Sequence, residues 1–396
     1  MPENSFHVRE IMIILSFLGA TKLDETEYVW DLRTPQSTDS FLVALNVWFP
    51  KADIYVLETE KAREVNGVAA RIKLPNARFI PIPNGRSDDE NWQIFNTLAD
   101  ALPEDAELVF DITNGFRSLP VLSMLVVSFL RSVKKLNLKH LVYAAFERDV
   151  TPTPVFDLTP FVTMLDWASA TNRFLETGDA RKFKDLVTIR GASIMNNVGS
   201  ELEKLSIELA LHRSVEAMET AKRVLEKIKQ ADSESPKPEH QPFHLLKNRI
   251  LDAVQPISGA GIAPEIYSQF AQIMWYAKQK QYAQGISLAR EWLVAVRIWK
   301  TDGWFSVSRE EQEIAENWLN TMSKALKDKP QIIPPNWLAA VKMWDKISDQ
   351  RNDYAHFGMR KSVISAKETL KNAQIILDEL RIAVAPLGLE LPEVSG

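Results

Sequence analysis

Hydrophobic positions follow two rhythms along the 396 residues, and the change between them divides the chain. Over the first 160 residues, short apolar runs alternate with stretches of helical period. The runs at 11–18, 53–58, 78–82, 108–112 and 139–146 read as strands. Several are apolar at every position, as expected of strands covered on both faces. Between them, 38–48, 61–70, 88–102 and 117–133 carry the three-to-four-residue apolar spacing of helices. That alternation predicts a Rossmann-like, doubly wound parallel sheet. Residues 153–158 predict one further strand, with an antiparallel place at the sheet edge open to it.

From about residue 161 the strand signals vanish. Helical period marks 161–176, 180–195, 199–230, 242–254, 263–280, 282–300, 309–327, 336–347 and 362–384. A polar, proline-rich stretch at 233–241 and a glycine-bearing break at 256–264 punctuate this half. The expected fold class is therefore α/β plus all-α. A Rossmann-like domain covers 1–160, a helical linker region 161–260, and a second helical domain 261–396.

Composition narrows the function classes. A hydrophobic fraction of 45% with 25% charged residues is ordinary for a globular chain. The net charge of −5 excludes a generally basic nucleic-acid coat, so any RNA contact must be local. With no cysteine, disulfides, thiolate catalysis and cysteine-based zinc sites are excluded, which fits a reducing compartment. The histidines show no metal-ligand pattern, so no metal site is expected. The apolar runs at 11–18 and 121–130 are too short to span a bilayer, and the first follows Arg9-Glu10 rather than a basic leader. The expectation is a cytoplasmic protein without a membrane anchor. Six of the eleven tryptophans lie beyond residue 290, which points to well-packed helices there.

The richest chemistry sits at 351–356, Arg-Asn-Asp-Tyr-Ala-His. RNA cleavage without a metal needs a base for the 2′-hydroxyl, an acid for the leaving 5′-oxygen, and fixed positive charge for the transition state. Imidazole moves a proton in either direction near neutrality, and guanidinium clamps phosphate bidentately. His356 and Arg351 supply those two groups, with the amide of Asn352 beside them. Residues five apart on a helix lie about 140° apart around its axis. Hence either Arg351 opens a helix, capped by 348–350, or two copies meet to form one cleft. Arg290, Arg297 and Lys300 fall near one side of a helix; they serve either as guides for an RNA backbone or as a solvated face with ion pairs.

Two loops in the first domain converge. Ser16-Phe17-Leu18-Gly19 ends the first strand, and 111–118, Asp-Ile-Thr-Asn-Gly-Phe-Arg-Ser, ends the fourth. In open α/β sheets, ligands bind at the carboxyl ends of strands where the strand order reverses. The second loop also opens a helix, whose free N–H groups suit a phosphate ester. Neither a dinucleotide fingerprint nor a Walker A loop is present, which disfavours ATP hydrolysis.

These two loops resemble the signature loops of CARF domains, the CRISPR-associated Rossmann-like sensors of cyclic oligoadenylate. Residues 282–293 resemble the first core helix of a HEPN domain, and Arg351-Asn352-x-x-x-His356 matches the HEPN catalytic motif. The order CARF, helical linker, HEPN resembles the CARF–HEPN ribonucleases of type III CRISPR systems over nearly the whole chain. The resemblance implies an endoribonuclease that cuts single-stranded RNA without a metal, activated when a ring of adenylates binds across a CARF pair. By motif match, Arg351, Asn352 and His356 would be catalytic. Ser16, Gly19, Thr113, Asn114, Gly115, Arg117 and Ser118 would lie near the ring. Family frequency alone points to cyclic tetra-adenylate as activator. A homodimer or higher homo-oligomer is implied. The alternative is a non-catalytic cyclic-oligoadenylate sensor or scaffold, with or without ring-nuclease activity in the CARF pocket.

Overall fold

The computed structural model describes residues 11–391 except 23, 115–118, 148–149, 189–193, 234–240, 260–262, 358 and 360–363. The chain forms two compact units, Met1–Thr163 and Met164–Gly396.

The first unit runs β1 (Met12–Phe17), β2 (Thr26–Val29), β3 (Gln36–Thr38), α1 (Phe41–Trp48), β4 (Asp53–Glu58), α2 (Glu60–Lys73), β5 (Arg78–Pro81), α3 (Asp88–Ala101), β6 (Glu107–Asp111), α4 (Leu119–Val133), β7 (Asn137–Ala144) and β8 (Thr153–Asp157). Its eight strands lie in the order β3-β2-β8-β7-β6-β1-β4-β5. The five strands β7-β6-β1-β4-β5 are parallel, as the apolar runs predicted. Strand β1 sits at their centre, with Ile13 opposite Asp53 on one side and Leu108 on the other. Because the chain winds outward from β1 in both directions, the order reverses between β1 and β6.

Alternate residues of β1 feed two cores. Ile13, Leu15 and Phe17 pack with the apolar side chains of α3 and α4, whereas Ile14 joins Tyr28, Trp30, Phe41 and Val109 on the opposite face. Helix starts follow capping chemistry. The Thr59 hydroxyl accepts from the Ala62 N–H at the start of α2, and the Ser87 hydroxyl accepts from the Glu90 N–H at the start of α3. Asp88, Asp89 and Glu90 add negative charge to the first turn of α3.

The flank of the sheet departs from expectation. Strand β8 is antiparallel to β7, but it is not the edge: β2 pairs parallel beyond it and β3 closes the sheet antiparallel. The sheet is therefore mixed rather than wholly parallel.

The second unit is helical throughout its described residues: α5 (Thr159–Thr177), α6 (Arg181–Thr188), α7 (Ile194–Ala210), α8 (Ser214–Ser233), α9 (Gln241–Val254), α10 (Pro264–Lys278), α11 (Tyr282–Asp302), α12 (Arg309–Asp328), α13 (Leu338–Ala355) and α14 (Ala366–Val384). Two cores serve it. One gathers Trp167, Phe174, Phe183 and Phe243 from α5, α6 and α9 with the inner faces of α7 and α8. The other surrounds Phe270, Trp292 and Trp344.

The helix expected over 199–230 is split. Helix α7 ends at Ala210 and α8 begins at Ser214, with His212 at φ 58° making the turn between them. The helix expected over 180–195 stops at Thr188, and 189–193 lie outside the described residues. Among the described residues, no helix is long and apolar enough to cross a membrane.

Candidate functional site

The carboxyl ends of β1 and β6 are joined by a buried carboxylate. The Ser16 hydroxyl donates to Asp111 Oδ2 at 2.6 Å, and the Thr113 N–H donates to Oδ1 at 2.8 Å. Ser16 and Asp111 are both fully buried. Burial pushes the Asp111 carboxyl above the ordinary carboxylate range, while the hydrogen bonds from Ser16 and Thr113 pull in the other direction. Thr113 ties the same loop to β7, because its Oγ1 accepts from the Ala144 N–H at 2.9 Å. Tyr28 lies on the α1 side with a buried hydroxyl that has no hydrogen-bond partner among the described residues. Its pKa is pushed up to about 12 by burial first, then by the charges of Asp111 and Asp39.

Above this network the two loops touch. A Cβ added to Gly19 would meet the Asn114 side chain at 3.3 Å, so the loop of β1 passes too close to that of β6 for a larger residue to fit without displacing Asn114. Asn66 of α2 braces the first loop from the other side. Its Nδ2 donates to the Gly19 carbonyl at 2.7 Å and the Thr21 carbonyl at 3.1 Å. A cavity of about 500 Å³ opens here, with Gly19, Lys22, Asn66 and Asn114 at its polar end. Its apolar wall comes from Leu42 and Val43 of α1 and Val65, Val68 and Ile72 of α2, and the Lys73–Asp39 ion pair lies in the same lining.

The structure thus brings Gly19, Thr113 and Asn114 together at the strand-order reversal, with Ser16 beneath them. The expected site residues Gly115, Arg117 and Ser118 lie outside the described residues. Sequence reading missed Asn66, Lys22 and the α1–α2 wall. Nothing in the polar run of α2 distinguishes Asn66 from its solvated neighbours. Asp111 did stand inside the quoted loop, and a carboxylate at the end of an apolar strand was the available signal.

The second candidate site is the end of α13. Its inward face, Ala340, Val341, Met343, Trp344 and Ile347, is buried. The register continues through Gln350, which is buried and donates from Nε2 to the Thr369 carbonyl, and through the half-buried Tyr354. Burial raises the Tyr354 hydroxyl pKa, opposed by a hydrogen bond from Gln350. Arg351, Asn352 and His356 are exposed on the last turn.

His356 is the C-terminal cap, its N–H bonding to the Asn352 and Tyr354 carbonyls. Arg351 therefore sits at a helix end and not at the helix start that capping by 348–350 had offered, because 348–350 lie inside α13, where the buried Gln350 and the half-buried Tyr354 keep the helix docked. A helix C-terminus is the favourable end for a guanidinium. Phe357 takes φ 52° and is 86% exposed, and Met359 is 87% exposed.

Two of the cations considered as RNA guides are used inside the bundle. Arg290 pairs with Glu291 and Glu316 and lies 4.9 Å from the Trp344 ring centroid. Arg297 stacks 4.2 Å from the Trp318 ring centroid, and burial lowers its pKa. Trp292 is core, its Nε1 donating to the Ile266 carbonyl. Among the described residues, no group of three or more His, Asp or Glu side chains could hold a metal ion.

A Rossmann-order sheet with a cavity at its strand reversal, followed by a helical unit with an exposed Arg-Asn-x-x-x-His turn, has the motif order of a CARF–HEPN protein. Part of the chain is similar to a CRISPR-associated protein. Residues 163–255 match the family model for the CRISPR-associated protein MJ1674, second domain. The CRISPR-associated protein MJ1674 of Methanocaldococcus jannaschii is 25% identical over 176 residues, which span 41% of this chain and 27% of that protein. The match thus covers about a quarter of the relative's length. A solved structure, Enterococcus italicus Csm6 bound to cyclic hexa-2′-fluoro-hexa-dAMP, aligns over 96% of both chains at 13% identity with a TM-score of 0.46.

Proposed function

We propose that the protein is an endoribonuclease of type III CRISPR defence that needs no metal, is switched on by a cyclic oligoadenylate, and cuts single-stranded RNA. The observation that carries this reading is the exposure of Arg351, Asn352 and His356 together at the C-terminal end of α13. In the reaction, the 2′-hydroxyl attacks the adjacent phosphorus while a base takes its proton. The bond from phosphorus to O5′ breaks as an acid protonates the leaving oxygen. The products are a 2′,3′-cyclic phosphate and a 5′-hydroxyl. His356 is the proton-transfer group, Arg351 neutralises the non-bridging oxygens, and Asn352 holds the phosphate by its amide. Since Arg351 and His356 diverge by about 140° around the helix axis, a cleft built from two copies supplies a complete set.

In this reading, the cavity beside Gly19 and Asn114 belongs to the ring site, which Gly115, Arg117 and Ser118 complete, and cyclic tetra-adenylate is the activator. Residues 1–160 sense, 161–260 transmit and 261–396 cut. The ring activates because it binds the cutting-competent arrangement better than the idle one.

The test is cleavage of a quenched fluorescent single-stranded RNA in EDTA, with cyclic tri-, tetra- or hexa-adenylate, and His356→Ala as control. Cleavage with one ring that vanishes in the variant supports the proposal. Ring binding without cleavage would replace it with a sensor or scaffold.

A further inference from the structure

The turn that ends α13 carries a side chain left idle by the fold and by the proposed reaction. Phe357 directly follows His356 in the chain, and it is 86% exposed. Its backbone takes φ 52°, the left-handed region, which costs any residue with a Cβ and which a bulky one rarely adopts. This is the position just past the helix cap His356, where glycine is the usual occupant. The chain does hold a glycine, Gly358, but one position too late to relieve it. The turn is nevertheless tied on both sides of the ring. The Phe357 N–H donates to the Tyr354 carbonyl at 3.0 Å, and the Met359 N–H donates to the His356 carbonyl at 2.8 Å. The ring is thus held out toward solvent on a fixed mount, at a backbone cost that burial of the ring does not offset. Strain kept beside a candidate proton-transfer group points to function.

We infer that Phe357 is an RNA-binding residue: its ring stacks on a base flanking the bond to be cut and so seats that phosphate at His356. Three observations select a nucleobase as the occupant. The first is position, since the ring shares its turn with His356 and stands at the same helix end as the exposed Arg351 and Asn352. The second is charge. Residues 351–361 hold Arg351, Arg360 and Lys361 against the single carboxylate of Asp353, in a chain whose net charge is −5. A ring set among cations is the composition that binds single strands, with phosphates on the cations and a base on the ring. The third is size. Phe357 and the 87% exposed Met359 together present on the order of 300 Å² of apolar surface. That falls well short of the roughly 800 Å² each partner contributes to a standard protein interface, but it suffices for one base. A base inside a duplex is already covered on both faces, so such a ring accepts only an unpaired strand.

The inference rests on the proposed function for the bond that is cut, and its test separates the two. The full-length protein, with cyclic tetra-adenylate, is given a fluorescent DNA strand that holds a single ribonucleotide, so that only one bond can be cut. Matched strands carry an abasic residue on the 5′ or the 3′ side of that bond. Phe357→Ala and Phe357→Trp are compared with the parent chain for kcat and KM. Binding is read apart from cleavage, by fluorescence anisotropy on an RNA methylated at every 2′-oxygen and on its abasic counterpart, neither of which can be cut.

An abasic residue at one of the two positions should lower kcat/KM of the parent chain about tenfold, mainly through KM. Phe357→Ala should lose as much on the intact strand and nothing further on the abasic one, because both changes remove the same stack. Phe357→Trp should keep the parent's values, and anisotropy should show the same pattern in Kd. Phe357→Gly should bind as weakly as Phe357→Ala yet melt at a higher temperature than the parent, because glycine accepts the left-handed backbone freely. The inference falls if Phe357→Ala binds the methylated RNA as tightly as the parent chain, or if the losses from ring and base compound. It falls equally if Phe357→Ala raises the dimer dissociation constant in sedimentation velocity, which would make the ring an interface contact. Base-dependent binding through Phe357 without cleavage by the parent chain would keep the stack and remove the proposed nuclease. Cleavage indifferent to both ring and base would do the reverse.

Discussion

Ser16→Ala isolates the buried carboxylate beneath the candidate ring site. The hydroxyl lies 2.6 Å from Asp111 Oδ2, and neither residue reaches solvent, so no water replaces the lost donor. A hydrogen bond to a charged group contributes about 1.5–3 kcal/mol. For a unit the size of Met1–Thr163, each kcal/mol corresponds to roughly 2–4 °C in melting temperature, so a loss of about 3–12 °C is expected.

The loss should depend on pH. The folded-state pKa of Asp111 is raised, so folding favours its protonated form. That contribution is complete below the unfolded carboxylate range and is lost as pH rises through the folded value. The Ser16 hydroxyl favours the charged form, so the deficit of the variant widens as pH increases. Differential scanning calorimetry of both proteins over a pH series that rises from the unfolded carboxylate range measures it. A deficit under about 1 °C, or one that shrinks with rising pH, would refute the account of this network.

Three further outcomes are expected. His356→Ala and Arg351→Ala should each lower ring-activated RNA cleavage a hundredfold or more, yet leave the melting temperature within about 2 °C, because surface side chains contribute little to stability. Asn66→Ala removes two hydrogen bonds that brace the β1 loop, so calorimetric ring affinity should weaken about tenfold; Asn66→Asp should do no better, because it sets acceptors against the Gly19 and Thr21 carbonyls.

The third concerns acid stability. Burial raises the Asp157 carboxyl pKa, but the His140 and Thr159 hydrogen bonds more than reverse this and hold it below its usual value. Its stabilisation is present above the unfolded carboxylate pKa and is lost as pH falls through the lower folded value. Acid titration by circular dichroism should therefore show His140→Ala less stable at neutrality, with the gap closing in acid.

The central strands were legible in the sequence because burial on both faces leaves an unbroken apolar run, as in Ile13-Ile14-Leu15. Strands β2 and β3 left no such trace. They are four and three residues long and partly exposed; β2 is held by the distant β8, and β3 only by β2. The interrupted helix at 211–213 was equally hidden, since His212 adopts a left-handed backbone that its own side chain does not announce. At the candidate sites, the motif residues could be listed, but their roles depended on neighbours. Ser16 faces inward to a carboxylate, and Arg351 closes a helix whose register is set by Gln350 and Tyr354. Asn66 acquires meaning only once α2 lies beside the β1 loop.

Helix α10 belongs to both cores of the second unit. Ile266, Phe270 and Ile273 pack with Trp292 and Trp344, while Tyr276 packs among the helices from α5 to α9 and donates its hydroxyl to the Leu209 carbonyl. The neighbouring Trp275 fills the space over Gly178, where an added Cβ would come within 2.1 Å of its ring. A shared wall of this kind makes the two cores thermodynamically inseparable: neither can melt without stripping one side of the helix that the other needs. The segment that joins sensor to nuclease in the proposed function is therefore not a passive spacer but half of a single cooperative folding unit, and a strain applied at one core is felt as a change in stability at the other.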